Sequence, residues 1–591
     1  MSITIRFKNV SSLSAVAVLT ISMAGCRQLQ AVFVTRPSEM MPAYKPVDVQ
    51  YAKQNWSPSQ SAWFYHTAQG TELMPYQWFL ALEQPKLKVF GTVPKFADTE
   101  YLARFGFLPD ATSAENPNGL PVGFAKDTVT DVKSGQRVEV VGLTCAACHT
   151  GQVEYKGKGI RIDGGSASVD LASFQTELGY AVAFTDKIPG RFDRFARVVL
   201  GESASSEDKA KLRREFQAFL VTGLAEKNEA DARKLYEAVG GFGRTDALGR
   251  IGNYVFGTEL DNANLRPANA PVSFPPLWYT SWFAWVQYNA SIQQPMVRNI
   301  GEALGVRARV NLTDPANLYR STVNVKNQWQ MEDLLAGPAA FAGLSAPAWP
   351  EELLGPIDRA KAQKGAELYR QQCQHCHLPP LNSPEIKDPK YWEAGLEGRS
   401  FLKLNVIPLE EIGTDPTEAT DWSKRKAVTG VLGLGTVSAA EGLRAVTGKI
   451  REMNYAALGL SPEQRMEWSG YRDAGVVAPL AYRARPLGGL WATPPFLHNG
   501  SVPSLYQMLL PADQRDKVFY TGSREFDPQH VGYDTAKFDG AFEFRTDQPN
   551  DPHPGNSNAG HEFRNTPGKG RIGRELTDEE RWAIIEYLKT L

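Results

Sequence analysis

The spacing of apolar and polar positions predicts a mainly helical chain with a few short strands. Residues 206–240 and Ile357–Gln372 have the apolar periodicity of amphipathic helices, whereas residues 136–143 alternate in the manner of a strand. A last helix is predicted from Thr577, where a capping box with Glu580 precedes a further periodic run. The pattern favours helices connected by long irregular segments.

Two breaks in this pattern divide the chain. Residues 10–24 form an apolar run of 15 positions after a basic start; a membrane-spanning helix needs about 20, so the run is typical of an export signal. Residues 337–358 concentrate Gly, Pro and Ala, as domain linkers do. We therefore expect a signal at residues 1–25, an N-terminal domain at 26–345 and a C-terminal domain at 346–591.

The expected signal ends at a cysteine. Cys26 follows the small residues Ala24 and Gly25, which resembles a bacterial lipoprotein signal, where the chain is cut before the cysteine and its thiol is acylated. Met23 departs from the usual leucine, and a plain secretory signal is the alternative. In both cases the chain leaves the cytoplasm, and Arg27 favours lipid anchoring to the outer membrane.

Composition narrows the class of protein. The chain has 591 residues, of which 42% are hydrophobic and 22% charged, as expected for a globular protein. Its 64 Lys and Arg nearly balance 65 Asp and Glu, so no overall charge indicates a nucleic-acid partner. The five cysteines are one single residue and two closely spaced pairs, which is not a disulfide framework for a chain of this length.

The cysteine pairs carry the chemistry. The pattern Cys-x-x-Cys-His occurs twice, as Cys145, Cys148, His149 and as Cys373, Cys376, His377. Thiols three residues apart can add to the two vinyl groups of one haem, and the adjacent histidine can then bind its iron. A thioredoxin-like redox pair or half of a zinc site is the alternative, but neither accounts for the histidine in both copies. Two covalently bound haem c groups are predicted.

The surroundings of the two motifs differ. A helix over Ala360–Gln372 leads into the second motif and resembles the first helix of a cytochrome c, with Gly365 allowing close approach of the terminal helix. Leu368 and Tyr369 would pack on the haem. A strand precedes the first motif, so its domain is expected to be a modified cytochrome c. The fold class predicted is mainly α, with two cytochrome c-like haem domains, large loop-rich insertions and a few short strands.

Several stretches resemble one known superfamily. They are residues 144–151 (TCAACHTG), Ile162–Gly165, Gly413–Pro416, residues 484–506 (ARPLGGLWATPPFLHNGSVPSLY) and Gly560–Phe563. Together they are similar to the dihaem cytochrome c peroxidase superfamily, and most to its large branch containing the dihaem rubber oxygenases of Gram-negative bacteria. The resemblance extends from about residue 60 to the end of the chain.

This resemblance implies two unequal haems. The haem on His149 would have an open or weakly held sixth position for O2 or H2O2, and the haem on His377 would be six-coordinate and store electrons. His561, in the loop GNSNAGHEF, would be the second ligand of the His377 haem, although the residues alone are equally compatible with a surface histidine. The other candidates are Met453, Met466, Met508, His498, His530 and His553; His498 is interpreted as a loop anchor.

Two further features have open interpretations. The spacing of Trp278, Trp282 and Trp285 is that of one helix face, which indicates core packing. The alternative is that one tryptophan lies between the haems, or that the cluster lines an apolar substrate channel. Trp278 and Trp282 are the candidates for a catalytic role. Thr493 to Pro495 resembles the segment whose backbone binds calcium in the peroxidases, so calcium is a further candidate ligand.

The function predicted is an exported dihaem oxidoreductase that activates O2 or H2O2 at the His149 haem. In one version oxygen attacks a carbon–carbon double bond of an apolar polymer or lipid-like substrate; in the other, a small donor protein supplies electrons for peroxide reduction. The length of the chain favours the first version. The alternative is a non-catalytic electron-transfer dihaem cytochrome c.

Overall fold

The computed structural model describes residues 36–87, 92–547 and 555–591, so the predicted signal, Cys26 and His553 lie outside the described residues. The α-helices are α1 Pro37–Met40, α2 Pro58–His66, α3 Tyr76–Ala81, α4 Thr99–Ala103, α5 Leu171–Lys187, α6 Arg191–Leu200, α7 Ser206–Ala232, α8 Ala247–Gly252, α9 Pro295–Gly305, α10 Val325–Ala336, α11 Glu351–Leu354, α12 Arg359–Gln372, α13 Gln374–His377, α14 Leu409–Ile412, α15 Thr417–Lys424, α16 Ala439–Ala457, α17 Pro462–Trp468, α18 Leu505–Met508 and α19 Asp578–Leu588. These helices confirm the predicted mainly helical fold class.

The strands are short and form small, separate sheets. They are β1 Asp48–Tyr51, β2 Met74–Pro75, β3 Phe124–Thr130, β4 Arg137–Leu143, β5 Thr150–Tyr155, β6 Lys158–Asp163, β7 Arg244–Thr245, β8 Val272–Ser273, β9 Trp392–Ala394, β10 Ser400–Leu402, β11 Asn405–Pro408, β12 Lys426–Val428, β13 Thr436–Ser438, β14 Ala481–Ala484, β15 Val518–Thr521, β16 Phe526–Asp527, β17 Gly532–Tyr533, β18 Phe542–Arg545, β19 Glu562–Phe563 and β20 Arg571–Gly573. Two sheets have three strands, in the orders β1-β6-β5 and β2-β4-β3, and the other sheets are pairs. Long irregular segments connect them, as the fold class predicted.

The strongest local patterns are confirmed. The predicted helix before the second motif is α12, and the Asp358 side chain caps it by accepting a hydrogen bond from the backbone N–H of Lys361. Thr577 and Glu580 form the expected capping box of α19. The alternating residues ahead of the first motif are β4, so a strand does lead into the first cysteine pair.

Helices α12 and α19 pack closely beside the second motif. A Cβ atom at Gly365 would lie 1.9 Å from the carbonyl oxygen of Ala583, so only glycine permits this separation. The rings of Tyr369 and Tyr587 lie 5.3 Å apart in the same interface. The predicted approach of these two helices is therefore confirmed.

The aromatic segment 274–288 is not a helix, and the predicted shared face of its tryptophans is wrong. Its regular structure is one 3₁₀ turn, Thr280–Trp282, and the backbone has positive φ at Tyr279 and Gln287. Positive φ cannot continue a right-handed helix. Trp278 is fully buried, but Trp282 and Trp285 do not lie above it on a helix surface.

The hydrophobic core crosses the predicted domain boundary at residue 345. One cluster joins Ile162 and Trp278, from the N-terminal side, to Tyr369, Trp491 and Ile584, from the C-terminal side. The boundary itself stays a prediction, but the two halves share buried surface. In the described part of the chain, every helix is too short or too polar to cross a membrane.

Candidate functional site

The first cysteine pair lies in a turn between two strands. Cys145–Ala147 form a single 3₁₀ turn, and the hydroxyl of Thr144 caps it by accepting a hydrogen bond from the backbone N–H of Ala146. Burial raises the pKa of Cys145 to about 11 and that of Cys148 to about 12. Redox-active cysteine pairs instead have lowered pKa values. This difference disfavours the thioredoxin-like alternative.

His149 is held by the backbone. Its Nδ1 donates a hydrogen bond to the carbonyl oxygen of Pro275 over 2.7 Å, which leaves Nε2 free. Burial lowers the pKa of His149 to about 4, so the imidazole is neutral at physiological pH. A neutral, oriented imidazole with one free nitrogen is the form that binds a metal.

The second motif repeats this arrangement. Cys373 ends α12, and α13 brings His377 back toward the core. The Nδ1 of His377 donates to the carbonyl oxygen of Arg485, again over 2.7 Å, and burial lowers the pKa of the imidazole. The hydroxyl of Tyr369 donates to the carbonyl of Leu378 over 2.7 Å and so fixes the chain just after the motif.

His561 faces His377. Their ring centres are 6.1 Å apart. A metal-bound imidazole nitrogen lies about 2 Å from its metal, as in zinc sites, so imidazoles on opposite sides of one ion have ring centres about 6 Å apart. Arg515 holds the His561 segment by donating to the carbonyls of Gly560, at 3.0 Å, and His561, at 2.9 Å. The Nδ1 of His561 is buried without a hydrogen-bond partner among the described residues.

The other described histidines have different partners. His66 is bonded through both ring nitrogens, His498 stacks on a tyrosine, His530 is hydrogen-bonded to an aspartate and His375 is exposed. Their partners are Phe124 and Asp110 for His66, Tyr482 for His498 and Asp527 for His530. Within the described residues, His149 makes its one aromatic ring contact with Phe274 rather than with a histidine.

Each motif histidine donates its hydrogen bond to the first residue of a segment that occurs twice in the chain. This structural repeat was not predicted from the sequence. Residues 275–292 correspond to residues 485–502 at a constant difference in residue number. Each segment has a 3₁₀ turn, an isolated β-bridge and positive φ values at equivalent positions. Gln287 and Leu497 have φ of 68° and 64°, and Ala290 and Gly500 have φ of 54° and 66°. The signal was present in the sequence, since Pro-Leu and Asn-x-Ser recur at the same offset.

Hydrogen bonds between the two segments are reciprocal. The N–H of Arg483 donates to the carbonyl of Tyr288 over 2.8 Å, and the N–H of Ser273 donates to the carbonyl of His498 over 2.9 Å. The two donors lie two residues before the respective copies at the same offset, and the two acceptors are equivalent positions of the repeat. The Tyr288 and His498 rings, 6.0 Å apart, thus lie at the centre of a local two-fold arrangement.

Trp278 touches both copies of the repeat. Its indole N–H donates to the carbonyl of Gly488 over 3.0 Å, and the guanidinium carbon of Arg485 lies 5.5 Å from its ring centre. Trp278 also follows Pro275, the acceptor of His149, by three residues. Trp282 instead donates to the carbonyl of Ala336 over 2.8 Å, so the two candidate tryptophans have different surroundings.

In the described residues, the segment 555–561, called the strap below, crosses the second copy of the repeat but not the first. Asn499 donates to the carbonyls of Gly555 and Ser557, both over 2.9 Å, and thereby holds the segment that leads to His561. The equivalent Asn289 is fully buried, yet neither its amide oxygen nor its amide nitrogen has a partner among the described residues. The same holds for the hydroxyl of Ser291.

Glu302 is a further functional candidate that the sequence reasoning missed. Burial is the main cause of the raised pKa of both Cys145 and Cys148, and the charge of Glu302 adds to it in each case, so this carboxyl lies near the first motif. The side chain of Gln287 donates to its Oε1 over 2.6 Å. The available signal was that Glu302 is the one acidic residue of helix α9, most of whose residues are apolar.

Among the described residues, no group of three or more His, Cys, Asp or Glu side chains that could hold a metal ion lies at the candidate calcium segment. Thr493 follows the 3₁₀ turn Leu490–Ala492 of the repeat, and its hydroxyl donates to the carbonyl of Leu490 over 3.0 Å. Pro495 lies two residues further on. Calcium binding at Thr493 and Pro495 stays a prediction.

Comparison with known proteins defines the class. Residues 481–520, which include the second copy of the repeat, match the family "RoxA-like, cytochrome c-like". A domain of this class carries covalently bound haem c, and the free, partly buried cysteines beside an oriented histidine fit that cofactor.

The nearly full-length relative identifies the family more closely. The chain is 46% identical over 577 residues to "Uncharacterized protein y4iJ" of Sinorhizobium fredii, covering 93% of this chain and 95% of the relative. The chain therefore belongs to the same family as y4iJ. It is also 24% identical over 369 residues to "Uncharacterized protein y4iM" of the same organism, covering 58% of this chain and 71% of that protein.

Proposed function

We propose that the protein is an exported dihaem c-type cytochrome oxidoreductase that activates O2 or H2O2 at the haem held by His149. A second haem, held between His377 and His561, would transfer electrons. The observation that carries this proposal is the asymmetry of the histidines. The ring of His561 lies 6.1 Å from that of His377, whereas no described histidine makes a ring contact with His149.

The residues of each motif fit one haem. When bound, the haem iron would supply reversible electron transfer and a position for an oxygen ligand. The cysteines would attach the porphyrin, and the carbonyls of Pro275 and Arg485 would fix the direction of each imidazole. Imidazoles on both sides of the second haem would leave no position for O2, and this supports its role in electron transfer.

The repeat supports an open first haem. In the second copy, Asn499 and Ser501 hold the strap that carries His561. In the first copy, Asn289 and Ser291 hold no corresponding strap in the described residues. Because the strap supplies the second ligand, a copy without it is expected to leave one side of its haem open.

Glu302 would move protons at the first haem. Activation of O2 or H2O2 requires proton transfer, and a partly buried carboxyl near the site can hold a proton at its Oε atoms. Its hydrogen bond from Gln287 fixes the orientation of the carboxyl. Glu302→Gln is expected to slow reaction with peroxide at least tenfold while both haems remain attached; an unchanged rate would exclude this role.

Trp278 would connect the haems. It contacts Gly488 and Arg485 of the second copy and lies close in sequence to Pro275 of the first. Trp278→Phe is expected to slow electron transfer between the haems, with Trp282→Phe as a matched control because Trp282 contacts Ala336 and Phe401 instead. Equal rates in both variants would remove Trp278 from the path.

The RoxA-like match supports the oxygenase version, in which the substrate is an apolar polymer or lipid-like molecule. The peroxidase version would use a small electron-donor protein. Spectra of the purified holoprotein, a pyridine haemochrome count and oxygen uptake with polyisoprene latex test the proposal together. Two haems per chain, one of them high-spin or oxygen-bound, are expected. Two low-spin haems inert to O2 and H2O2 would instead identify an electron-transfer cytochrome.

Export and anchoring rest on the sequence alone. We propose that Cys26 is acylated and anchors the protein to the outer membrane on its periplasmic or extracellular side. Cys26→Ser should move the protein from the membrane fraction to the soluble fraction. An unsubstituted protein that is already soluble after cell lysis would contradict the anchor.

A further inference from the structure

Two arginine side chains enter the region between the candidate haem histidines. Arg485 provides the carbonyl oxygen that accepts the hydrogen bond of His377, and its guanidinium lies over the ring of Trp278 at 5.5 Å. Arg483 lies two residues earlier and donates through Nε to the carbonyl of Gln287 over 2.6 Å. Both residues lie at or just before the start of the second copy of the repeat, and the backbone N–H of Arg483 bonds to Tyr288.

Two other arginines that are buried or partly buried have carboxylate partners. Arg191 pairs with Glu83, and Arg524 pairs with Glu154. In the described residues, Arg483 and Arg485 form no ion pair, and the Nη1 of Arg483 is buried without a partner.

The charged and titratable groups around the two guanidinium groups do not neutralise their positive charge. Those facing Arg485 are Arg483, Tyr288 and Tyr279. Those facing Arg483 are Tyr288, Arg298 and Glu418. Burial raises the pKa of Glu418 to about 8, which favours its neutral form, so it supplies little negative charge at neutral pH. Adjacent, partly buried positive charges carry a free-energy penalty that a bound anion offsets.

We infer that Arg483 and Arg485 bind propionate carboxylates of the haems, and that Arg485 binds one on the haem held by His377. The inference rests on the proposed attachment of that haem at the second motif. Its vinyl groups are used by Cys373 and Cys376, which leaves the two carboxylates as its anionic groups. Arginine binds carboxylates through two parallel hydrogen bonds, in a geometry that lysine cannot reproduce.

This contact has an electrostatic consequence at the haem. A fixed positive charge near the iron disfavours the more positive, oxidised state and so raises the reduction potential. The same charge keeps the bound carboxylate ionised through neutral pH, because an adjacent positive charge lowers the pKa of a carboxyl group. Removing the guanidinium should therefore lower the potential and make it depend on pH.

Redox titration of the holoprotein tests this inference. Arg485→Gln keeps the main-chain carbonyl that holds His377, and it is expected to shift the midpoint potential of the low-spin haem downward, with a new pH dependence between about pH 6 and 9. Arg485→Lys should retain most of the parent potential. Arg191→Gln removes a buried arginine that has its own carboxylate, and it should change neither property.

The outcomes separate this inference from the proposed function. A pyridine haemochrome count of two, with parental potential and pH dependence in Arg485→Gln, would overturn the propionate contact alone. A count below two would overturn the dihaem assignment as well. If Arg485→Gln does not fold, Arg483→Gln gives the same comparison, and a parental potential there would equally count against the contact.

Discussion

At the scale of single residues, the two motif histidines share the same kind of backbone hydrogen bond but differ in the side chain that lies opposite each of them. Both are neutral, partly buried imidazoles whose Nδ1 donates a hydrogen bond to a backbone carbonyl. His377 has His561 opposite, on a segment held by Arg515. The division of labour between the haems is thus proposed to depend on one additional side chain.

His561→Ala should open the second haem. Loss of the imidazole is expected to replace part of the low-spin optical signal with a high-spin component, while the first haem still binds ligand. His530→Ala is the matched control, because His530 pairs with Asp527 away from His377. An unchanged low-spin signal in His561→Ala would assign the ligand to another residue. Met453 is then a poor substitute, since it is 46% exposed on α16.

Glu418 should make stability depend on pH. Burial, with a contribution from Asp246, raises the pKa of its carboxyl from 4.5 to about 8. Folding therefore favours the protonated form, and the free energy of unfolding contributed by this group is lost as pH rises from about 4.5 through 8.

Glu418→Gln cannot ionise, so it should resemble the parent near pH 5 and exceed its free energy of unfolding by a few kcal/mol near pH 8. Guanidinium denaturation at both pH values measures the difference. Glu463→Gln, at an exposed helix start, is the control. Parallel pH profiles for Glu418→Gln and the parent would show that the carboxyl ionises freely.

At the scale of elements, the contact between α12 and α19 depends on glycine. Gly365→Ala would place a methyl group 1.9 Å from the carbonyl oxygen of Ala583. The helices must then separate, and we expect a loss of about 1–3 kcal/mol or more in the free energy of unfolding. Chemical denaturation measures this loss.

Gly448 in the middle of α16 supplies the control. A Cβ there meets no atom within 4 Å, so Gly448→Ala should stabilise the protein by about 0.5–1 kcal/mol through helix propensity. Equal stabilities for the two alanine variants would contradict the close helix contact.

At the scale of the whole molecule, the two halves are expected to unfold together. Ile162 and Trp278 are among the residues of the N-terminal half that share one core with residues of the C-terminal half. A fragment of residues 346–591 would expose that surface, so we expect it to bind hydrophobic dyes and to lack a cooperative unfolding transition. A fragment that unfolds cooperatively with the stability of the full chain would show an independent C-terminal domain.

The sequence by itself determined the features whose causes are local. The Cys-x-x-Cys-His spacing, the capping box of α19 and the strand before Cys145 depend on residues a few positions apart, and each was predicted from them. The aromatic segment 274–288 shows the limit of such reasoning. Its helical spacing was overridden because the turn after Pro275 requires positive φ at Tyr279 and reciprocal bonds with a distant segment.

Only the tertiary structure decided which distant groups meet. No local pattern shows that His561 faces His377, that Pro275 and Arg485 hold equivalent histidines, or that Glu302 lies near Cys145. Asn289 and Asn499 have equivalent positions in the repeat, yet among the described residues only Asn499 bonds to the strap. Such contacts form when the chain packs as a whole, because the burial of polar groups and the closure of long loops are properties of the complete core.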